Sequence, residues 1–184
     1  DWNIPQTMTA TGVDDTLIDG IKVTFITVAV FDGVSAEEYG AAPSISILAD
    51  TYDNDVAGYT VVESNGSTAV SEHETTDTFT VVLDTKPTAN VVVSVSGGDP
   101  TELTLTPGTL TFTPANWAIS QTVTVTGVDD VLIDGNRVTL IAVAVVDSAS
   151  ADEYDAVASI SILADTYDND VAGYTVVESA GSTV

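Results

Sequence analysis

The sequence predicts an all-β chain of tandem antiparallel β-sandwiches, and three observations carry that prediction. A unit of roughly 115 residues repeats without a gap, short runs alternate apolar and hydroxyl side chains with period two, and no stretch carries a convincing helical period.

The repeat comes first because it sets the domain frame. The segment from Asp1 to Thr7 (Asp-Trp-Asn-Ile-Pro-Gln-Thr) returns from Asn116 to Thr122 as Asn-Trp-Ala-Ile-Ser-Gln-Thr, an offset of 115. Gly-Val-Asp-Asp at 12–15 returns at 127–130, and the fourteen residues at 51–64 return at 166–179; about 50 of the 69 overlapping positions are identical. Residues 1–57 therefore read as the C-terminal half of a β-sandwich repeat, 58–172 as a complete repeat, and 173–184 as the first strand of the next. A half sandwich exposes sheet edges and an apolar face, so further chain on either side, or neighbouring subunits, is expected to complete it.

Within 58–172 the strands can be taken in order. Phe79, Val81 and Leu83 share one parity, as do Val91, Val93 and Val95; Leu110 with Phe112, Val123 with Val125, and Ile160 with Ile162 continue the pattern. Thr and Ser fill the opposite parity, which marks strands buried on one face. The run 138–146 is apolar on both parities and suits a central strand. Lys86-Pro87, Ser96 to Pro100, Thr106-Pro107-Gly108 and Asp134-Gly135-Asn136 supply the turns. Seven or so strands at this spacing predict a Greek-key sandwich of immunoglobulin-like type. Trp2 and Trp117, each ahead of a strand, read as core plugs at a sandwich corner.

Charge narrows the function. With 28 acidic and 3 basic residues the net charge is −25, while 44% of residues are apolar, enough for a core. Lys22, Lys86 and Arg137 are the only lysines and arginines, too few to neutralise nucleic-acid phosphates or bind anionic lipid. Without cysteine the chain offers no disulfide, thiolate nucleophile or zinc-thiolate site. No apolar run reaches the ~20 residues of a membrane span, and direct membrane insertion is not expected.

The carboxylates gather at turns and junctions. The complete copy carries Glu72, the Asp129-Asp130 pair, Asp134, Asp165, Asp168 and Asp170; the partial copy carries Asp14, Asp15, Asp19, Asp50, Asp53 and Asp55. Loops distant in sequence meet at one end of a Greek-key sandwich, where like charges about 4 Å apart repel by ~1 kcal/mol even in bulk water. Hard oxygen donors in loops favour calcium over zinc or copper, and magnesium prefers to keep its water. The alternative is a solvated acidic surface serving solubility or salt adaptation. The spacing is not that of an EF-hand, which needs a glycine and a glutamate at fixed places.

Val70-Ser71-Glu72 ahead of a strand, Val128-Asp129-Asp130 followed by Asp134-Gly135, and the exit Asp168-Asn169-Asp170-Val171-Ala172-Gly173 resemble the Calx-beta domain, found in sodium/calcium exchangers and in tandem in large bacterial surface proteins. The phrases at 80–84 and 121–126 resemble the bacterial tandem repeats, and the resemblance covers essentially the whole chain. It implies calcium at the C-terminal end of each sandwich, with ligand roles for Glu72, Asp129, Asp130, Asp134, Asp168 and Asp170, and for Asp14, Asp15, Asp19, Asp53 and Asp55 in the partial copy. Arg137 and Lys22 stand where that family usually has an acidic residue, so an ion is expected to be lost there or replaced by a salt bridge.

Catalysis is not expected. His73, the one histidine, has no counterpart in the partial copy and no triad around it; the paired carboxylates sit at domain ends, where a junction suits them better than a glycosidase cleft. The expected function is a structural repeat of a secreted or cell-surface adhesin or stalk, rigidified by calcium and partnered by adjacent repeats of the same protein. Two alternatives stand beside it: a self-assembling extracellular filament whose half domains are completed by neighbouring chains, and a carbohydrate-binding accessory module.

Overall fold

The computed structural model describes residues 3–31 and 33–177. Trp2 and residues 178–184 of the expected next strand lie outside the described residues; 173–177 are exposed and form no strand. The chain divides into two compact units, Asp1–Val56 and Ala57–Val184.

The second unit is a two-layer β-sandwich. Its strands are β3 (Tyr59–Glu63), β4 (Thr68–Ser71), β5 (Thr76–Leu83), β6 (Val91–Gly97), β7 (Leu103–Thr106), β8 (Thr109–Phe112), β9 (Gln121–Gly127), β10 (Arg137–Val145) and β11 (Ile160–Tyr167), where strands β1 and β2 belong to the first unit. One sheet has the order β4-β11-β10-β6-β8 and the other β3-β5-β9-β7. Except between β10 and β11, each successive strand joins the opposite sheet. The parity read from the sequence is the parity that packs: Phe79, Val81, Val93, Phe112, Val123, Val125, Ile141 and Val143 are fully buried between the sheets. Tyr154 plugs one side of this core, its hydroxyl donating to the Thr85 carbonyl at 2.6 Å, so that a buried ring keeps its polar end satisfied. Trp117 packs against the core cluster, and its carbonyl accepts the Leu83 amide at 3.2 Å.

Two sequence expectations are corrected here. Nine strands replace the seven or so expected, and the pairing is not wholly antiparallel, since β4 runs parallel to β11. The parallel pair and one of the added strands follow from one turn. Asn65 (φ 56°) and Gly66 (φ 82°) adopt left-handed backbone between β3 and β4, which asparagine and glycine tolerate best. The turn breaks the opening strand and passes its second piece to the other sheet.

The first unit contains one antiparallel pair, β1 (Lys22–Val28) and β2 (Ile45–Thr51). Its register, Phe25 opposite Leu48 and Ile26 opposite Ile47, reproduces Leu140 opposite Leu163 and Ile141 opposite Ile162. Ile26 and Ile47 are 38% and 52% exposed, whereas Ile141 and Ile162 are at 0% and 8%. Among the described residues of the first unit no further strand covers Ile26 and Ile47.

Candidate metal centre

The parallel pairing of β4 with β11 builds the site. Because the two strands run the same way, Ser71 lies beside Tyr167 and both chains leave the sheet at the same end. The Glu72 amide then donates to the Tyr167 carbonyl at 3.2 Å, which sets Glu72 against the exit segment. Oxygens of Glu72, Asp168 and Asp170 all lie within 4.8 Å of one another.

Each member has a distinct environment. Glu72 is 1% exposed; burial pushes its carboxyl above the ordinary range, the Asn169 amide at 3.3 Å pulls the other way, and Asp168, Asp130 and Asp134 add repulsion. Asp170 is raised too, by burial first and then by Asp168, Asp129, Asp130 and Asp134. Asp168 is shifted the other way. The amides of Asp170 and Gly135, both at 2.7 Å, hold it below the usual range.

Asp129 and Asp130 follow β9 and line a cavity with Glu72 and Asp170. Asp130 accepts the Leu132 amide at 2.6 Å, and Asp129 accepts the Asn169 side chain at 3.2 Å. Asp134 gives one oxygen to Arg137 at 2.8 Å, forming an intradomain ion pair, while its other oxygen is buried without a hydrogen-bond partner among the described residues. Asp165, which the sequence places with the exit cluster, lies instead within β11, paired with Val138 and Ala69.

Sequence reasoning passed over Glu102. It is 4% exposed, its Oε2 has no hydrogen-bond partner among the described residues, and burial followed by Asp134 raises its carboxyl. Its carbonyl accepts the Val128 amide at 2.8 Å, tying the turn before β7 to the Asp129-Asp130 segment. The available signal was an acidic residue directly ahead of an apolar strand, the context that singled out Glu72.

The first unit repeats part of this arrangement. Asp53 accepts the amides of Asp55 and Gly20 at 2.8 Å and of Asp19 at 2.7 Å, which with Lys22 keep it below the usual range against a smaller opposing burial effect. Asp55 is raised by burial, then by Asp53, Asp14, Asp15 and Asp19. Lys22 lies 3.4 Å from Asp19, the counterpart of the Arg137–Asp134 pair. Asp50 is a strand residue opposite Val23.

The donor set suits a hard divalent cation. Apart from the neighbouring His73 it consists of oxygens, and Glu102, Asp134 and Asp170 each keep one buried carboxylate oxygen without a hydrogen-bond partner among the described residues, a costly state unless something positive meets it.

No family model matches the chain, and no curated protein matches it. Among solved structures it is similar to the apo-form Calx CBD1 domain at 16% identity and TM-score 0.43, over 61% of this chain and 98% of that one. It is similar to domains 4 and 5 of the S-layer protein SbsC at 14% and 0.46, over 79% and 58%. It is also similar to the E. coli chaperone DraB at 14% and 0.43; that match takes in 63% of this chain and spans 59% of DraB.

Proposed function

We propose that this chain is a non-catalytic structural module of an extracellular protein, in which calcium bound at the acidic end of each sandwich stiffens the passage from one repeat to the next. The carrying observation is the convergence of Glu72, Asp168 and Asp170 within 4.8 Å, with Glu72 almost wholly buried. Carboxylates held this close in a half-buried site disfavour one another, and a bound calcium supplies the positive charge that offsets them while accepting 6 to 8 oxygens at about 2.3–2.6 Å.

The chain's own residues set the consequence. Glu72 belongs to the β4 exit, Asp129 and Asp130 to the β9 exit, and Asp168 and Asp170 to the segment that leaves β11. A ligand set drawn from all three fixes that exit segment, so ligand binding and order are linked. In the first unit Asp14, Asp15, Asp19, Asp53 and Asp55 form the equivalent set.

The test is a pair of measurements on the whole chain, with calcium and with chelator. Thermal melting is expected to shift upward with calcium, and small-angle scattering is expected to report a longer, narrower distribution of distances. If neither quantity responds, the reading fails.

A further inference from the structure

Two carboxylates away from the acidic end are engaged where the edge strand breaks and changes sheets. Asp77 lies on β5, in the four-stranded sheet, and reaches across to the other sheet. One of its oxygens accepts the Ser64 hydroxyl and the Thr78 amide, the latter at 2.7 Å, and the other accepts the Ala69 amide of β4 at 2.9 Å. Glu63, the last residue of β3, accepts the Thr68 hydroxyl at 2.7 Å. Together these bonds close the left-handed turn at Asn65-Gly66. The sequence 63–68 recurs at 178–183 with only its asparagine replaced, by Ala180, so the counterparts of Glu63, Ser64, Gly66 and Thr68 are kept.

β4 hangs between two pins. It has four residues, is the edge strand of its sheet, and among the described strands pairs with β11 alone. Thr68 and Val70 root it in the core, but an element with so few partners is the kind that opens locally while the rest of a domain stays folded. Asp77 pins its start. Its end is pinned by Thr75, whose hydroxyl oxygen accepts the Ser71 amide at 2.7 Å and whose carbonyl accepts the Gly127 amide at 3.0 Å. Glu72 comes next, about 10 Å along the chain from Ala69 at about 3.3 Å per residue, and stands against Asp168 and Asp170. Repulsion there pushes on the end of the strand, and the Asp77 bonds hold against it.

We propose that Asp77 is a positioning residue for the acidic end: it latches β4 to the edge of the sandwich, keeps Glu72 beside Asp168 and Asp170 against their repulsion, and is reinforced when a cation binds there. The last clause rests on the calcium reading; the latch does not. Its three partners, Ser64, Ala69 and Thr78, are not candidate ligands, so Asp77 acts on the site through β4. A carboxylate is required at 77 because three donors meet its two oxygens. An amide there turns its own N–H groups either toward the Ala69 amide or toward Ser64 and Thr78, and one side of the latch is lost. Opening of β4 carries Glu72 away from its neighbours, which the cation-free site favours and a cation shared by the three carboxylates opposes. Three influences therefore act on one opening: the latch and the cation close it, and the Glu72 charge drives it.

The experiment is residue-resolved amide hydrogen exchange on the whole chain, read as protection at residue 72, whose amide is bonded to the Tyr167 carbonyl and is not touched by a change at 77. In wild type without calcium this amide is expected to exchange faster than those of β9, which report global opening. In chelator Asp77→Asn is expected to speed it at least about tenfold, the worth of one bond to a charged group. Ser64→Ala, which deletes one donor and keeps the carboxylate, is expected to act the same way by less. Asp84→Asn removes an equal charge from an exposed carboxylate that accepts the Thr60 hydroxyl at the other end of β3. It is expected to leave the rate as it was, because that contact survives the opening of β4. Glu72→Gln is expected to slow the exchange, and calcium chloride in excess is expected to slow it in wild type at least about tenfold. The latch is overturned if residue 72 exchanges no faster than β9 in wild type, or if Asp77→Asn quickens it no more than Asp84→Asn does, whether or not calcium binds. A wild-type rate that calcium leaves unchanged overturns instead the calcium reading and the clause that rests on it.

Discussion

The amide of Glu72 donates to the carbonyl of Tyr167 at 3.2 Å, and through this one bond a residue at the end of β4 is held beside the segment that leaves β11. The acidic side chain brought there is 1% exposed and faces Asp168 and Asp170. Changing Glu72 to Gln keeps its shape and removes its charge. Two opposite effects are expected: calcium affinity measured by titration calorimetry falls at least about tenfold, or about 1.4 kcal/mol, while the chelated protein melts higher, because a buried charge set among other carboxylates, with no cation against it, has been removed. A lower melting temperature in chelator would show that Glu72 is held by a favourable contact rather than against repulsion.

Acidity acts on the same cluster with a definite sign. Glu72 and Asp170 titrate above their ordinary values of 4.5 and 3.8, so in the interval above those values the folded chain keeps protons that the unfolded chain has released. Stability of the calcium-free protein therefore falls as pH rises through that interval. Asp168, Asp99 and Asp77 are shifted below 3.8, and the stability they contribute is present above 3.8 and lost as pH falls through their lowered values. Melting in chelator is thus expected to peak on the acid side of neutrality. With calcium the trend between that peak and neutrality reverses, since protons then compete for the ligand oxygens; melting curves across pH with and without calcium distinguish the two.

Backbone approach at Gly127 makes a further prediction. A Cβ there would stand 2.1 Å from the Ser71 carbonyl oxygen, an atom fixed by the sheet, whereas one at Gly135 (φ 76°) meets nothing within 4 Å. Gly135→Ala is expected to cost about 1 kcal/mol, the conformational penalty alone. Gly127→Ala is expected to cost about 2–4 kcal/mol in denaturant melts and to weaken calcium binding as well, because it pushes the Ser71-Glu72 corner away from Asp129 and Asp130. Equal costs at the two glycines would refute the steric account.

How much of this was legible in the sequence depended on how local the determinant was. Parity placed Phe79, Val81, Val123 and Val125 in the core because strand side chains alternate regardless of context. The repeat offset of 115 carried Asp53 onto Asp168 and Asp55 onto Asp170, and the structure gives both pairs the same turn, with the later amide closing on the earlier carboxylate at 2.8 and 2.7 Å. What could not be read was which strand Thr68–Ser71 joins. That choice rests on the left-handed turn at Asn65-Gly66 and on a parallel register 96 residues away, neither of which leaves a periodic trace. Glu102 escaped for a similar reason, since its tie to the acidic segment is a bond from the Val128 amide, well along the chain after β9. The run 138–146 read as doubly apolar for a central strand; β10 is central in its sheet, yet its outer parity faces solvent.

Arg137 gives the last prediction. Its guanidinium lies 2.8 Å from Asp134, with the side chain half exposed, so the pair is worth only about 0–1 kcal/mol as a salt bridge. Its larger effect is on the cluster: it supplies positive charge among the carboxylates, with Asp134 first and Glu102 and Asp99 after it favouring its charged form. Arg137→Glu removes that internal cation and adds a carboxylate beside Asp134. The chelated variant is expected to melt below wild type, and the rise in melting temperature on adding calcium is expected to exceed the wild-type rise, because more repulsion is there to be relieved. An Arg137→Gln control separates loss of the cation from gain of the anion and is expected to fall between the two. If calcium raises the melting temperature of Arg137→Glu no more than that of wild type, then Arg137 is a surface ion-pair residue with no bearing on the acidic cluster.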